Sequence, residues 1–287
     1  MAEEDGVDVN AVQKKSGAGG SAAVQEAVAH QEAMASNDDA VIVAEEKMTI
    51  KMGKEGEVES MEIKGVLLYT CLKDVAAHPL VVMGAAYVAE AESKGFQFQT
   101  NPKLMCKSVE FAKEGTLSCK KPDTVVPIGK PTGILRWRMK ATDAEASEVP
   151  LSFTAWGEDA GGGQLSLTLS YTLEREDMTL QDVVISIPLG TSGEAPEIQN
   201  VDGVQRHIAR EDRLEWVLDF VDADNKSGEI EFTVKASEES DFFPITVSFS
   251  SPNLMLAPQI QQITGVDGAP VNAAVTSSLT IEEFEIE

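Results

Sequence analysis

From Val41 onward the chain reads as short apolar runs that alternate with polar residues at a period of two, punctuated by Gly, Pro, Asn and Asp. That period puts successive side chains on opposite faces, so these segments form half-buried strands and few helices. Residues 132–140 show the pattern most plainly. Strict alternation places Leu135, Trp137 and Met139 on a core face, and Ile134, Arg136, Arg138 and Lys140 on an opposite, basic face. The same rule aligns Leu165, Leu167, Leu169 and Tyr171, then Val183, Ile185 and Ile187, then Ile230, Phe232 and Val234, then Ile245, Val247 and Phe249. A first hairpin is legible as Glu46 to Met52, a turn at Gly53-Lys54-Glu55-Gly56, and Val58 to Leu68. Breaks at Gly157 to Gly163 and at Ser237 to Asp241 mark where the chain passes between sub-structures.

The first forty residues differ in kind. They are Ala, Gly, Gln, Ser and acid, with no aromatic or β-branched cluster to offset the entropy of ordering them, and they read as a disordered linker. Within it Ala22 to Ala35 holds good helix formers, but a helix that short is marginal when isolated. The remainder of the 287 residues is long enough for one large β domain or two smaller ones.

Charge narrows the function classes. Against 23 basic residues stand 48 acidic ones, a net charge of -25 that repels nucleic acid phosphates and anionic headgroups except where cations are locally concentrated. The opening Met1-Ala2-Glu3-Glu4-Asp5 has neither the basic nor the apolar region of a secretory signal, and no apolar run approaches a membrane span, which predicts a soluble cytosolic chain. Cys71, Cys106 and Cys119 are widely spaced, predicting neither a disulfide framework nor a zinc cluster and fitting a reducing compartment.

No catalytic template fits. His30, His78 and His207 sit in no recognisable constellation, and there is no H-E-x-x-H, no G-x-S-x-G and no phosphate-binding G-x-x-x-x-G-K-[ST]. Asp222-Ala223-Asp224-Asn225-Lys226-Ser227-Gly228 departs from a calcium loop at its fifth, sixth and twelfth positions and reads as a turn joining strands. The expectation is therefore no catalytic residue, no metal and no cofactor. An adhesion sandwich would need a signal peptide and calcium ligands.

What remains are candidate recognition residues. Trp137 and Trp216 fall on apolar phases and are assigned to the core, whereas Trp156 ends a strand before an acidic loop and its pattern allows burial or exposure. Two basic clusters stand out, Lys130 with Arg136, Arg138 and Lys140, and Arg206-His207 with Arg210 and Arg213. Each has two readings, pairing with nearby carboxylates or docking an acidic peptide.

Residues 41 to 287 resemble a known family along nearly their whole length. Glu45-Glu46-Lys47-Met48-Thr49-Ile50, Met61-Glu62-Ile63-Lys64-Gly65 and Gly95-Phe96-Gln97-Phe98-Gln99-Thr100-Asn101-Pro102 are similar to the opening strands of the mu-homology domain of the coatomer delta subunit. Gly133-Ile134-Leu135-Arg136-Trp137-Arg138, Asp182 to Leu189, Leu214-Glu215-Trp216, Asn225-Lys226-Ser227-Gly228 and Asp241 to Phe249 follow in the family's order. The resemblance implies an all-β fold of two antiparallel β-sandwich subdomains, the second inserted in the first: about 41–162 with 252–287, and about 163–251. It also implies a non-catalytic subunit of the COPI vesicle coat, peripheral on Golgi membranes and coated vesicles, in retrograde Golgi-to-endoplasmic-reticulum and intra-Golgi transport. Implied partners are the other coatomer subunits and tryptophan-containing acidic motifs of a vesicle tether and of an Arf GTPase-activating protein. For such ligands the candidate peptide-binding residues are Arg136, Arg138, Lys140, Trp156, Arg206, His207 and Arg210. Delta subunits also carry an amino-terminal longin domain, and the match here covers only linker and mu-homology segments. The related clathrin-adaptor medium chains read tyrosine signals with a carboxy-terminal Trp-x-Arg, where this sequence has Ala274 to Leu279; that pocket is expected to be missing.

Overall fold

Among the described residues the strands, in chain order, are β1 (Ala40–Met52), β2 (Val58–Cys71), β3 (Leu80–Val82), β4 (Gln97–Thr100), β5 (Thr116–Ser118), β6 (Thr132–Ala144), β7 (Leu151–Gly161), β8 (Gln164–Leu173), β9 (Leu180–Pro188), β10 (Glu197–Val201), β11 (Val204–Ile208), β12 (Arg213–Val221), β13 (Ser227–Lys235), β14 (Ile245–Ser251), β15 (Gln262–Thr264) and β16 (Ala273–Ile286). The helices α1 (Ala85–Ser93) and α2 (Ser108–Glu114) lie on either side of β4 in the chain. This is a computed structural model, and it describes residues 37–190, 193–236 and 238–287. The short helix expected at Ala22 to Ala35, and nearly all of the linker, lie outside those residues.

The alternations read from sequence are realised. Leu167, Leu169, Tyr171, Val183, Ile185, Ile187, Ile230, Phe232, Val234, Ile245, Val247 and Phe249 are all buried, and Leu165 is partly so. The strands form a nine-stranded sheet in the order β11-β12-β9-β14-β16-β1-β2-β6-β4, a four-stranded sheet β10-β13-β8-β7 and a three-stranded sheet β15-β3-β5. Pairings between these strands are antiparallel except β1 with β16, which runs parallel over thirteen register positions from Ala40↔Ala273 to Met52↔Ile286. The four-stranded sheet packs on one half of the long sheet, where Tyr171 meets Trp216 at 5.5 Å and Phe153 meets Phe284 at 5.6 Å between ring centroids. Over the other half, Phe111 of α2 packs edge-on against Phe98 of β4 at 5.5 Å, and the Tyr69 hydroxyl donates to the Ala76 carbonyl at 2.9 Å. Strands β7 to β14, which lie in sequence between β6 and β15, form the four-stranded sheet and the β11-β12-β9-β14 end of the long sheet.

Two expectations are corrected. Ile134 is not on the basic face: between Leu67↔Leu135 and Leu68↔Gly133 the ladder skips one residue of β6, and that bulge turns Ile134 into the core. The Gly-rich stretch is not a passage between sub-structures but the turn of the β7–β8 hairpin, where Gly161, Gly162 and Gly163 all take positive φ. The strand-joining turn at Asp222–Asn225 is as read: the Asn225 N–H donates to the Asp222 carbonyl at 3.2 Å, between β12 and β13.

Candidate functional site

The basic face of β6 is held in place from behind by a buried row. Glu46, Gly65 and Trp137 are direct neighbours on β1, β2 and β6. Because Gly65 has no side chain, the Trp137 indole lies flat across β2; a Cβ there would stand 1.9 Å from its Cε2. The indole Nε1–H then reaches Glu46 Oε1 at 2.7 Å. The same carboxylate accepts the backbone N–H of Met255 at 2.6 Å and of Leu256 at 3.1 Å, tying β1 and β6 to the chain segment before β15. Glu46 is 1% exposed. Burial pushes its carboxyl above the ordinary range, against the opposing pull of these three hydrogen bonds.

On the opposite face Arg136, Arg138 and Lys140 are exposed, one every second residue. Arg138 binds Glu62 of β2 through its guanidinium, and Lys64 and Lys140 approach the same carboxylate at 3.6 and 3.7 Å. Partial burial raises the Glu62 carboxyl, but the Arg138 hydrogen bond and the charges of Lys64, Arg138 and Lys140 outweigh it and hold Glu62 below the usual range. Pairing with carboxylates, one of the two readings of this cluster, is thus realised for Arg138 and Lys140. Arg136 is not engaged in this way. It sits instead on the rim of a cleft of about 310 Å³ between β4 and β6, lined by Gln99, Pro102, Gly133, Ile134 and Leu135. Ligand pockets run from roughly 300 to 1,000 Å³, so a cleft of this size suits one anchoring side chain rather than a cofactor.

The other candidates are elsewhere. Arg206 and His207 lie on β11, the opposite edge of the nine-stranded sheet and seven strands from β6, about 30 Å at the usual spacing. Arg210 is exposed in the turn that follows, and Arg213 is paired with Glu211 and Glu215 at 2.9 Å each. The His207 Nε2 is buried without a hydrogen-bond partner. Trp156 is 69% exposed on β7, an edge strand of the four-stranded sheet, whereas Trp137 and Trp216 are core as expected. The structure therefore brings Arg136, Arg138 and Lys140 together beside a cleft, and leaves Trp156 and the Arg206 cluster as separate features. Among the described residues, no group of three His, Cys, Asp or Glu side chains is placed to hold a metal, and no helix is long and apolar enough to cross a membrane.

A family model described as adaptor complexes medium subunit family matches residues 29–287. The chain belongs to the adaptor complexes medium subunit family. Family members are coat components rather than enzymes, in agreement with the failure of every catalytic template. Within the family the resemblance to the coatomer delta subunit holds. A probable coatomer subunit delta of Caenorhabditis elegans is 31% identical over 242 residues, covering 84% of this chain and 45% of that protein. The Arabidopsis thaliana coatomer subunit delta is 32% identical over 218 residues, 75% of this chain and 39% of that one. The chain thus spans less than half the length of these relatives. The yeast delta-COP-I mu-homology domain shares the fold, with a TM-score of 0.75 at 22% identity over 88% of this chain and 98% of that one. The same yeast domain, solved in complex with a Dsl1 WxWxV peptide, superposes with a TM-score of 0.73, again at 22% identity and with the same coverage.

Proposed function

We propose that this chain is the mu-homology part of a coatomer delta subunit and docks short acidic peptides with a tryptophan anchor in the cleft between β4 and β6. The observation that carries the reading is the cleft itself, lined by Gln99 to Pro102 and Gly133 to Arg136 with the exposed Arg136 at its rim, in a chain whose net charge is -25. An aromatic anchor in a pocket with a cationic edge is the physical requirement for such a ligand. The relatives support the coat assignment, and the peptide bound by the yeast domain supports the ligand class. On this reading the chain works with other coatomer subunits at the cytoplasmic face of Golgi membranes and vesicles. Its ligands are segments of a vesicle tether and an Arf GTPase-activating protein, in retrograde and intra-Golgi transport. The two sandwiches act as the two subdomains of the family, with the second beginning at β7 rather than after residue 162, because β7 pairs with β8.

Calorimetric titration of the full chain with a synthetic glutamate-rich peptide bearing Trp-x-Trp tests this. A single-anchor ligand should bind on the order of micromolar and lose binding when both tryptophans become alanine. Arg136→Glu should weaken it about tenfold, by the usual cost of a rim charge reversal, and Arg206→Glu should leave it unchanged. Wild-type affinity in Arg136→Glu, or loss of binding in Arg206→Glu, would move the site off the β4–β6 cleft.

A further inference from the structure

The outer face of the long sheet carries a ladder of cations next to that cleft. Lys47 of β1, Lys64 of β2 and Arg138 of β6 are direct cross-strand partners, and all three are exposed. Arg136 and Lys140 flank Arg138 on the same face. Like charges directly opposite one another on neighbouring strands are destabilising, and a chain with 48 acidic residues has ample means to alternate them. One side chain holds the ladder together. Glu62, opposite Lys140, is bonded by Arg138 and approached by Lys64 and Lys140. Glu282 of β16 takes a share of Lys64 at 3.1 Å. Among the described residues no ion pair joins Lys47 or Arg136 to a carboxylate, so the two ends of the patch keep their charge.

We propose that Glu62 is a built-in competitor: it occupies the cation ladder in the free chain, and the carboxylates of an acidic peptide anchored in the adjoining cleft displace it from Arg138 and Lys140. The proposal rests on the docking reading above and adds what sets its selectivity. A carboxylate already sits there with several cations around it, so the ladder is shaped for carboxylates. Exposed ion pairs contribute little each, so the exchange is cheap for a ligand that brings several. A neutral aromatic peptide gains nothing from it. Glu62 therefore sets a threshold among acidic segments: one that brings several carboxylates displaces it, whereas one with a single carboxylate gains little, a repulsive element of the kind specificity requires.

Two synthetic peptides test this, one with Trp-x-Trp flanked by glutamates and one with the same anchors flanked by glutamines, each titrated into wild type and Glu62→Gln at low and high salt. Glu62→Gln should bind the glutamate peptide about fivefold more tightly, the scale of one exposed ion pair, with a steeper loss of affinity on adding salt. It should leave the glutamine peptide unchanged. Glu282→Gln, which removes only one of the two carboxylates beside Lys64, should give a smaller gain, and thermal melts of both variants confirm that the fold is intact. Equal binding of the glutamate peptide by wild type and Glu62→Gln, or an equal gain for both peptides, overturns the competitor role while the cleft stands. If neither peptide binds either protein, the docking reading falls with it.

Discussion

Replacing Glu46 by alanine strands three donors at once: the Trp137 indole N–H and the backbone N–H groups of Met255 and Leu256. Each buried donor left without an acceptor costs about 1–3 kcal/mol, while removing a carboxylate that is 1% exposed returns several kcal/mol of desolvation. The balance is a loss of about 3 kcal/mol, or roughly 6–12 °C in Tm for an ordered region of this size. Glu46→Gln should fall between the two proteins. Its remaining oxygen still serves Trp137 and Leu256, but its amide sets a donor against the Met255 N–H. Urea melts followed by far-ultraviolet circular dichroism give the numbers, and a double-mutant cycle with Trp137→Phe should show a coupling of about 1 kcal/mol or more. A Glu46→Ala change within about 0.5 kcal/mol of wild type, the range of ordinary surface substitutions, would refute the view that this carboxylate fastens β1 and β6 together.

Gly65→Ala should destabilise by about 2–3 kcal/mol in the same melts, since an added methyl must drive the Trp137 indole off Glu46; a neutral substitution would mean that the ring has room to spare. Glu62 should give a pH signature of known sign. Its folded pKa is held below the ordinary value of 4.5, so its contribution is complete above pH 4.5 and is lost as pH falls through the lower folded value. The stability difference between wild type and Glu62→Gln, under about 1 kcal/mol for so exposed a cluster, should shrink on acidification below pH 4.5. Growth of the difference on acidification would contradict the assigned pairing. Trp156→Ala should change stability by less than about 0.5 kcal/mol, because the side chain is 69% exposed; a larger loss would place it in contacts that the fold does not show.

Most of the strand map was legible because the period of two is a local property, and the inward phases of β8, β9, β13 and β14 follow from it directly. What is set by long-range pairing was not. The parallel pairing of β1 with β16 joins segments more than two hundred residues apart, and nothing in either segment names its partner. The bulge that buries Ile134 arises where β6 meets β2, so strict alternation within β6 alone assigns it to the wrong face. At Gly161 to Gly163 the glycines marked a bend correctly, but composition does not say whether a bend closes a hairpin or leaves a sheet. Glu46 is the instructive omission. It stands between Ala44 and Met48 on the inward phase of β1, and a carboxylate on an apolar phase is itself a signal of a buried acceptor awaiting donors. On the site, sequence singled out Arg136, Arg138 and Lys140 together, and they do share one exposed face. It offered no means to separate them from Arg206, His207 and Arg210, because the distance across the sheet is fixed by strand order.

The account turns on where an acidic tryptophan peptide sits, and a crystal structure of the chain with the glutamate-flanked Trp-x-Trp peptide answers that directly. The expected result is an indole against Pro102 and Gly133 in the β4–β6 cleft, with a peptide carboxylate on Arg136 and Glu62 released from Arg138. A peptide seated along β11 near Arg206, or around Trp156, with the cleft empty, would contradict it.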